Sequence, residues 1–576
     1  MAHSDPHSDP HSDPHRSSIR SFRNNPADFL AESLGGFIAS HPDAQWHDSG
    51  FIGRASELST DSGIPAVAVI SGGGTGHEPM HAGFLGAGML AAVCPGLLFT
   101  SPNAVQITEA TRWADRGAGV LHVVKNYTGD VMNFQVARQA LDEVDTRVVL
   151  VDDDIATQDF ADSDGPGRRG TAATILVEKV TGAAAHRGYN LSRVAELGQW
   201  VADNSRSMSV ALAPGHLPTS GRDTFDLPVG KMELGVGIHG ERGVERLNVE
   251  EADSIVARLL ERIDAALGLD EGDEVVCLVN GLGGTTELEL HLIYGSVLRV
   301  LAGRGLRVRR AMVGTYVTAV NMAGVSLTLT RATDEIVELL DAPTTAPAWP
   351  RVLGGPADAA AATPARIFHH DDLPDSGEEN VWLTGFIARV QGSTDDLTEL
   401  DRLAGDGDFG QNMDAALGEI DLPLRGTDAD VLQALSLRLF TRAGGTSGAV
   451  LGTLFRELGT AMRATDDRVA GLAAGLDSAH RAITELGGAK QGDNTLIDAL
   501  IPAAQAAAAA TTKDFSGVLA DCYTAAAEGA ATTREMIARK GRASYLGAAS
   551  RGVVDPGAIL VAWIFGGRGD ISDFTD

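Results

Sequence analysis

Residues 66–79 read AVAVISGGGTGHEP, and this stretch sets the fold class of the first half of the chain. The run at 66–70 is short and apolar, which is typical of a buried strand, and Ser71 and three glycines follow it. The same order recurs where RVVLV at 147–151 runs into aspartates and where EVVCLVN at 274–280 runs into glycines. Helical patterns follow these runs, so they predict βα units, in which ligands usually bind beyond the carboxyl ends of the strands.

Length and composition limit the partners of the protein. The chain has 576 residues, 44% of them hydrophobic, and its 77 acidic against 46 basic residues give a formal charge of −31. At about 100–200 residues per domain, this length allows three or four domains that each bury a core. The acidic balance argues against nucleic acid or an anionic membrane, because both require a basic surface. An acidic protein can still bind a phosphate ligand if backbone amides and a metal ion at the site contact the phosphate.

The three cysteines, Cys94, Cys277 and Cys522, are far apart and form no CxxC pair. This pattern argues against disulfides and structural zinc and favours a reducing compartment. The longest uncharged stretch, 82–108, is interrupted by glycines and prolines, so we expect no membrane helix. No signal peptide is visible, and we therefore predict a cytoplasmic protein.

Composition changes along the chain predict its domains. Residues 1–17 repeat His-Ser-Asp-Pro and predict a disordered tail, and 18–340 predict an α/β domain in two parts with a break near 200. The proline-rich segment 341–377 predicts an interdomain linker. Residues 378–576 are rich in Ala and Leu at helical spacing and predict an all-α domain. Its clearest expected helices are 431–440, 469–482 and 515–539.

The glycine run at 72–76 would let backbone N–H groups approach a small ligand, although a structural turn explains it equally well. His77 is expected at a loop-to-helix junction, with Pro79 in the first helical turn. Residues 77–81 also match the HExxH zinc pattern. We do not expect zinc there, because Pro79 interrupts the helix that the pattern requires.

Two further segments carry groups suited to acid–base or nucleophilic chemistry. KNYTGD at 125–130 follows an apolar run, so Asp130 is either a general base at a strand end or the cap of a helix that begins at Val131. In MELGVGIHGERG at 232–243, His239 stands among glycines. An accessible histidine of this kind can bind a metal, transfer a proton or attack a carbonyl, although most single histidines do none of these.

The sequence LDRLAGDGDFG at 400–410 places Asp401, Asp406 and Asp408 within eight residues. Carboxylates this close repel one another unless a hard cation is bound, and Mg²⁺ bridging to phosphate is the natural occupant. A plain Asp-Gly turn is the alternative. GGTSG at 444–448 is expected to open a helix whose free N–H groups bind phosphate. QGDNT at 491–495 is expected to precede another helix, and DPG at 555–557 to close a late turn.

Together these motifs resemble the single-chain ATP-dependent dihydroxyacetone kinases, over about residues 18–570. GGGTGHEP, NYTGD and MELGVGIHGE look like the ketone-binding domain of that family. LDRLAGDGDFGQNM, GGTSGA, GDNTLIDALIP and ARKGRASYLGAASRGVVDPGA look like its nucleotide-binding domain. The resemblance implies a two-part α/β ketone-binding domain followed by an all-α helical-barrel nucleotide-binding domain.

The resemblance also implies roles for individual residues. His239 would add to the substrate carbonyl and form a covalent hemiaminal, while His77 and Asp130 would bind the terminal hydroxyl and assist its deprotonation. The other implied substrate-binding residues are Gly74, Thr75, Gly76 and Lys125. The implied Mg²⁺ ligands are Asp401, Asp406 and Asp408. The implied ATP-binding residues are Asp406, Gly407, Asp408, Phe409, Thr446, Ser447, Gly488, Thr495, Leu496, Arg542, Asp555, Pro556 and Gly557.

The implied activity is ATP- and Mg²⁺-dependent phosphorylation of dihydroxyacetone or erythrulose by a homodimer, in which the ATP domain of one chain faces the ketone domain of the other. Three alternatives stay open: the same chemistry on glyceraldehyde, a non-catalytic ketone-binding regulator, and a cyclase acting on a flavin-type dinucleotide. Phe409, Arg242 and Leu496 depart from residues common in the family. We expect Phe409 and Leu496 to affect adenine packing and Arg242 to affect the choice of ketose.

Overall fold

The computed structural model describes residues 21–160, 167–355, 372–404, 407–512, 514–566 and 571–575. The chain divides into two units, Met1–Pro364 and Ala365–Asp576. The expected tail at 1–17 lies outside the described residues, as does the middle of the expected linker.

The first unit contains two six-stranded sheets. The strands of the first sheet are β1 (Ala44–His47), β2 (Phe51–Arg54), β3 (Ala68–Thr75), β4 (Ala92–Leu98), β5 (Val120–Lys125) and β6 (Thr146–Val151). Their order is β1-β2-β4-β3-β5-β6, with β3 to β6 parallel and β1 and β2 antiparallel to their neighbours. In this register Val69 lies opposite Leu121, and Val123 lies opposite Val149. The helices of this half are α1 (Phe29–Ser40), α2 (Ala104–Ala114), α3 (Thr128–Gln139), α4 (Ala173–His186) and α5 (Leu191–Asp203).

The second sheet departs from the expected series of parallel βα units. Its strands are β7 (Ser205–Ala213), β8 (Lys231–Leu234), β9 (Glu245–Asn248), β10 (Glu274–Gly281), β11 (Arg307–Gly314) and β12 (Ala323–Arg331). In the order β11-β10-β12-β7-β8-β9, β10 and β11 are parallel and the other neighbours are antiparallel. The difference arises because β12 inserts between β10 and β7, so its direction opposes both. The helices here are α6 (Ala252–Leu267), α7 (Glu287–Gly303) and α8 (Asp334–Leu340).

Helix α4 joins the two sheets. Every residue from 173 to 185 is buried, as expected for a helix that is apolar on nearly all sides. One hydrophobic core contains α4 together with Val123 and Val149 of the first sheet and Val276 and Leu278 of the second. The helix therefore holds the residues of both halves in one packed unit.

The first part of the expected linker belongs to the first unit. Ala346, Trp349 and Leu353 are buried in the same core as α4, because their apolar side chains remove more surface from water when they pack than when they are extended. The prediction of an extended linker is therefore wrong for residues 342–353.

The second unit is largely helical. Its helices are α9 (Val381–Gln391), α10 (Thr394–Ala404), α11 (Phe409–Met413), α12 (Asp428–Arg442), α13 (Gly445–Arg463), α14 (Arg468–Gly487), α15 (Ile497–Ala509), α16 (Phe515–Thr532), α17 (Pro556–Ile564) and α18 (Ser572–Thr575). Contacts run in sequence from α12 to α17, continue to α9, and return to α12 through the π-helical turn Asp414–Gly418, so the helices close a ring around one core. Helix α16 ends at Thr532, earlier than the expected 539, and a short 3₁₀ turn follows it.

Candidate functional site

The glycines at 72–74 lie inside strand β3, not in a loop after it. A Cβ atom added at Gly73 would collide with Lys125 Nζ, and one at Gly74 would lie 2.6 Å from Thr100 N. The absence of side chains therefore lets β3 approach its neighbours closely, which is the physical use of glycine here. The expected helix after His77 is also absent: residues 77–81 form turns, and the 3₁₀ helix Ala82–Phe84 follows.

Three aromatic rings, those of His77, Phe99 and Tyr127, surround His239 at the carboxyl end of β3 and β5. The ring centroid of His239 lies 4.7 Å from that of His77 and 4.4 Å from that of Tyr127. The ring of Phe99 stacks on His77 at 5.2 Å. The side chain of His239 is 17% exposed, whereas His77 is fully buried, so His239 is the ring that a ligand can reach. We call His77, Phe99, Tyr127 and His239 the histidine pocket.

The geometry of His77 leaves one ring nitrogen free to accept a hydrogen bond. Its Nδ1 lies 2.8 Å from Thr318 O, and because a carbonyl only accepts, Nδ1 carries the proton. Burial, followed by the charges of His239 and Lys125, places the pKa of His77 well below its usual value. His77 is therefore neutral, and its Nε2 is a buried acceptor without a partner among the described residues.

Glu241 holds His239 from one side. The backbone N–H of His239 donates to Glu241 Oε2 at 3.0 Å, and Nδ1 lies 3.3 Å from Glu241 Oε1. Burial acts to raise the pKa of Glu241, but the hydrogen bond and charge of His239 and the charge of Arg169 together lower it. The ionised carboxylate favours the proton on Nδ1 and leaves the lone pair of Nε2 available. The sequence analysis missed Glu241, although its position two residues after His239 was visible.

Lys125 and Asp130 form a buried pair beside this pocket. Their side chains are 0% and 2% exposed, and Nζ lies 3.8 Å from Asp130 Oδ2. Asp130 lies in the first turn of α3, whose N-cap is Tyr127, so the alternative that Asp130 caps a helix starting at Val131 is wrong. Burial lowers the pKa of Lys125, and the charges of Asp130 and Glu178 oppose that effect.

Several polar atoms around the pocket are buried without a partner. Among the described residues, no hydrogen bond satisfies Thr75 Oγ1, His77 Nε2, Tyr127 OH or Asp130 Oδ1. Buried polar atoms are almost always hydrogen-bonded in folded proteins, so this set indicates a site for a small polar ligand. Gly74 and Gly76 shape the same corner, and Gly76 takes a positive φ of 97° that favours glycine.

The second unit contains a cavity of about 280 Å³. Of the residues singled out in the sequence, those that line it are Asp401, Asp408, Phe409, Thr446, Ser447, Thr495, Leu496, Asp555, Pro556 and Gly557. Gly407 and Gly488 do not line it, and Asp406 and the side chain of Arg542 lie outside what the structure describes. Asn412, Asn494 and Lys540 also line it, although they are not among the residues that the resemblance implies for ATP binding.

Local capping explains how these segments face the cavity. Helix α13 begins after Gly444, which provides no side-chain cap, so backbone N–H groups of its first turn are left for a ligand. Asp498 is buried and accepts from Gly492 N at 2.5 Å and Thr495 N at 3.0 Å, which folds the 491–495 turn at the start of α15. Asn494 Oδ1 in this turn is buried without a partner among the described residues.

Asp555 starts a helix; the expectation that its segment closes a late turn is wrong. It caps α17 by accepting from Ala558 N at 2.7 Å, and Pro556 occupies the first helical turn. Burial, followed by the charges of Asp498 and Asp401, raises the pKa of Asp555 to about 7. This part of the cavity is therefore rich in negative charge.

The donor set of the cavity fits a hard cation. Asp401 and Asp408 supply carboxylate oxygens, the ligands that Mg²⁺ prefers. The pKa of the neighbouring Asp555, raised by burial and then by the charges of Asp498 and Asp401, shows that negative charges repel one another here, and a bound cation would relieve that repulsion. Within the described part of the chain, no cluster of three or more His, Cys, Asp or Glu side chains is arranged to hold a metal. The third aspartate of the motif, Asp406, is not among those residues.

Two further features bear on the sequence-based expectations. Cys94, Cys277 and Cys522 are free and buried. None of the helices in the described residues is long and apolar enough to cross a membrane.

Comparison with known proteins gives consistent matches to both units. Residues 35–348 match the Dak1 domain family and 403–569 match the DAK2 domain family. The chain is 36% identical to a triokinase/FMN cyclase of Rattus norvegicus, over 95% of this chain and 98% of that protein. It is 34% identical to an L-erythrulose 1-kinase of Mycolicibacterium smegmatis, again over 95% and 98%.

Solved structures give the same result. The native crystal structure of the dihydroxyacetone kinase of C. freundii matches with a TM-score of 0.60 at 29% identity, over 95% of this chain and 98% of that one. The same enzyme in complex with AMP-PNP and Mg²⁺ matches with a TM-score of 0.59, at the same identity and coverage.

Proposed function

Because the chain belongs to the single-chain dihydroxyacetone kinase family, we propose that it is an ATP-dependent kinase that phosphorylates a terminal hydroxyl of dihydroxyacetone or erythrulose. The observation that carries this proposal is the pairing of His239 with Glu241 beside the unpartnered acceptors of His77 and Asp130. That arrangement offers a nucleophilic nitrogen for a carbonyl and acceptors for hydroxyl groups in one pocket.

His239 captures the ketose in this proposal. Its Nε2 forms a bond to the carbonyl carbon, and the π electron pair of the carbonyl moves to oxygen, which takes up one proton from solvent; the ring returns one proton to solvent from Nδ1, so the adduct is neutral. The positive charge on the ring is stabilised by Glu241 until Nδ1 loses its proton. A polyol without a carbonyl cannot form this bond, so glycerol is rejected at the covalent step.

His77 and Asp130 orient the captured sugar. Asp130 Oδ1 accepts the proton of the reacting hydroxyl, and His77 Nε2, neutral and buried, accepts a hydrogen bond from the sugar. Lys125 and the backbone at Gly74, Thr75 and Gly76 complete the proposed substrate site. Orientation is effective here because phosphoryl transfer depends mainly on positioning and charge neutralisation.

The cavity of the second unit is the proposed ATP site. Asp401, Asp406 and Asp408 would hold Mg²⁺, which neutralises phosphate charge when bound. Thr446 and Ser447 with the N–H groups of α13 would bind phosphate, while Phe409 and Leu496 would contact the base. The remaining residues proposed for ATP binding are Gly407, Gly488, Thr495, Arg542, Asp555, Pro556 and Gly557.

The direct test is ADP release in the presence of a short ketose. We expect release to depend on the ketose and on Mg²⁺, and to fall by at least a thousandfold in His239→Ala, because a nucleophile is removed. A panel of dihydroxyacetone, D- and L-erythrulose, glyceraldehyde and glycerol identifies the substrate. Full turnover of the variant would overturn the proposed capture by His239, and turnover of glyceraldehyde alone would support that alternative.

A cyclase reaction on a flavin-type dinucleotide is a second candidate, favoured by the likeness to the rat triokinase/FMN cyclase. It would use the nucleotide cavity, so we expect any such activity to survive His239→Ala. The non-catalytic regulator is the third alternative, and it would bind the ketose without releasing ADP.

We also propose that the protein works as a homodimer in the cytoplasm. The family resemblance supports the dimer, and three buried, free cysteines fit a reducing compartment. The mass of the protein in solution, measured by light scattering, tests the dimer. A monomer at all concentrations that support turnover would contradict it.

A further inference from the structure

Behind Asp130, three buried side chains form a continuous chain of contacts. They are Glu178 in the middle of α4, His81 in the turn after β3, and Lys125 at the end of β5, and they are 0%, 4% and 0% exposed. We call these three residues the buried relay. Glu178 and His81 were not singled out in the sequence, except that His81 completed the HExxH pattern that we rejected.

The distances link α4 to the pocket step by step. Glu178 Oε1 lies 2.5 Å from His81 Nδ1, and His81 Nε2 lies 2.8 Å from Lys125 Nζ. Lys125 Nζ lies 3.8 Å from Asp130 Oδ2. Both ring nitrogens of His81 are therefore engaged, one toward a carboxylate and one toward an ammonium group.

In the described part of the chain, the groups that face the relay from other elements are those of Ser71, Gly72, His77 and Asp130. Ser71 Oγ of β3 lies 3.1 Å from His81 Nδ1 and donates to Val123 O, and Gly72 O accepts from Lys125 Nζ at 3.3 Å. The charges that act on the relay from outside are those of Asp130 on α3 and His77 in the turn. Because the three side chains are almost completely buried, an uncompensated charge here is costly and the charges must compensate one another.

The contacts permit two proton arrangements of equal total charge. In the first, Lys125 is an ammonium, His81 carries its proton on Nδ1, and Glu178 is a carboxylate. In the second, Lys125 is an amine, His81 carries its proton on Nε2, and Glu178 is a carboxylic acid. The second arises from the first when Nζ–H and Nδ1–H bonds break and Nε2–H and Oε1–H bonds form.

We propose that Glu178 and His81 are positioning residues for phosphoryl transfer, which withdraw the proton of Lys125 when Asp130 takes up the hydroxyl proton. The reason is electrostatic: once Asp130 is neutral, a buried Lys125 ammonium has lost its nearest counter-charge. Moving one proton from Lys125 to His81, and another from His81 to Glu178, removes that charge. The movements reverse when Asp130 releases its proton.

The relay rests on the proposed function, since it takes Asp130 as the base. Burial raises the pKa of Glu178 to about 8, against the opposing hydrogen bond from Ser71 and the charge of Lys125. Burial, followed by the charges of Lys125 and His77, keeps the pKa of His81 well below its usual value, so the ring stays neutral in both arrangements. Burial lowers the pKa of Lys125 and raises that of Glu178, so the proton affinities of the two groups approach each other, as exchange through a neutral His81 requires.

The test compares two variants that keep hydrogen bonds but block proton transfer. Glu178→Gln retains an acceptor for His81 Nδ1–H and cannot be protonated at neutral pH. His81→Gln retains a donor toward Glu178 and an acceptor toward Lys125 and cannot exchange a proton between them. We expect kcat to fall about tenfold or more in each, with KM for the ketose changed less than threefold.

The dependence of kcat on pH distinguishes the relay from a purely structural role, which would leave that dependence unchanged. In the wild type, kcat should rise as the pH is raised through about 8, because Glu178 must be ionised to accept a proton. This rise should be lost in Glu178→Gln and largely restored in Glu178→Asp. Wild-type kcat and an unchanged pH profile in Glu178→Gln would overturn the relay.

Lys179→Met is the matched control. Lys179 is the next residue of α4 and equally buried, but its Nζ donates to Leu339 O at 2.9 Å and has no contact with the relay. We expect Lys179→Met to change stability while leaving kcat, KM and the pH profile as in the wild type. A loss of kcat equal to that of Glu178→Gln would assign both effects to packing of α4 and contradict the relay.

Carbon NMR of bound, 2-¹³C-labelled dihydroxyacetone separates failure of the relay from failure of the proposed function. Addition to His239 moves the carbonyl carbon to a tetrahedral shift. We expect this signal in the wild type and in Glu178→Gln alike. Its absence from the wild type would contradict the proposed function, whereas its presence in both proteins with equal turnover would contradict the relay alone.

Discussion

At the scale of single residues, charge placement around His239 decides what the pocket can do. Asp154 pairs with Arg169 at 2.7 Å, the charge of Arg169 acts on Glu241, and Glu241 contacts the backbone and ring of His239. This ordered set of charges keeps Glu241 at Nδ1 of the ring and leaves Nε2 available for the ligand. The other residues of the pocket are neutral rings or unpartnered acceptors.

Glu241→Gln tests this placement. The amide still accepts a hydrogen bond but carries no charge to stabilise the developing imidazolium. Hydrogen bonds to charged groups contribute about 1.5–3 kcal/mol, so we expect kcat/KM for the ketose to fall between about 10- and 150-fold. Steady-state kinetics measure this, with Glu245→Gln, an exposed partner of Arg262, as the control. Equal kcat/KM in wild type and Glu241→Gln would show that the charge is dispensable.

At the scale of secondary-structure elements, strand β3 uses glycines on both of its faces for different purposes. A Cβ at Gly72 would lie 2.6 Å from Cys94 O in the backbone of β4, which cannot move without breaking the sheet. A Cβ at Gly73 would meet the end of the Lys125 side chain, which can rotate away. Gly72 is therefore needed for the packing of the sheet, whereas Gly73 leaves room for the ammonium group of Lys125.

The pair Gly72→Ala and Gly73→Ala tests that separation within one strand. We expect Gly72→Ala to lower the free energy of unfolding by about 1–3 kcal/mol, a typical result of overpacking. Gly73→Ala should displace Lys125 from Asp130 and lower kcat at least tenfold, with a smaller loss of stability. Urea unfolding and steady-state kinetics measure both effects. If the loss of kcat in Gly73→Ala is fully accounted for by its loss of unfolding free energy, the interpretation is wrong.

At the scale of the whole molecule, the two units have separate cores, and the proposed ketose and ATP sites lie in different units. The first unit has a core around α4 and further cores against its two sheets, and a single core fills the helical ring of the second unit. Units with separate cores unfold in separate transitions when few contacts join them. Ligands that bind one folded unit should therefore stabilise that unit specifically.

Calorimetry with each ligand tests this division. A ligand at a hundred times its Kd stabilises the unit that binds it by about 2.7 kcal/mol. We expect ATP with Mg²⁺ to raise the melting temperature of one transition and the ketose to raise that of the other. His239→Ala should lose only the ketose effect and Asp401→Asn only the nucleotide effect. Loss of both effects in either variant would contradict separate sites.

Most of the predictions about family and fold rest on the spacing of residues within short sequence motifs. The motifs around His77, Asp130, His239 and Asp401 are continuous stretches, so the family, the α/β first half and the helical second half could be predicted from the sequence. The predictions that are wrong concern where strands and domains end. Composition predicts a loop for the glycines of β3 and an interdomain linker for the segment containing Trp349, because it does not show that tertiary packing buries them. The roles of individual residues stay predictions.

What the sequence by itself determined is which chemistry-bearing residues occur together along the chain, because helical and strand periodicity and the motif spacings are local properties. Only the tertiary structure decided that Glu178, 97 positions after His81, completes a path to Asp130, and that Thr318 sets the proton position of His77 from 241 positions away. Such contacts depend on sheet register and on the burial of α4. Burial then shifts each pKa through desolvation, which no local pattern contains.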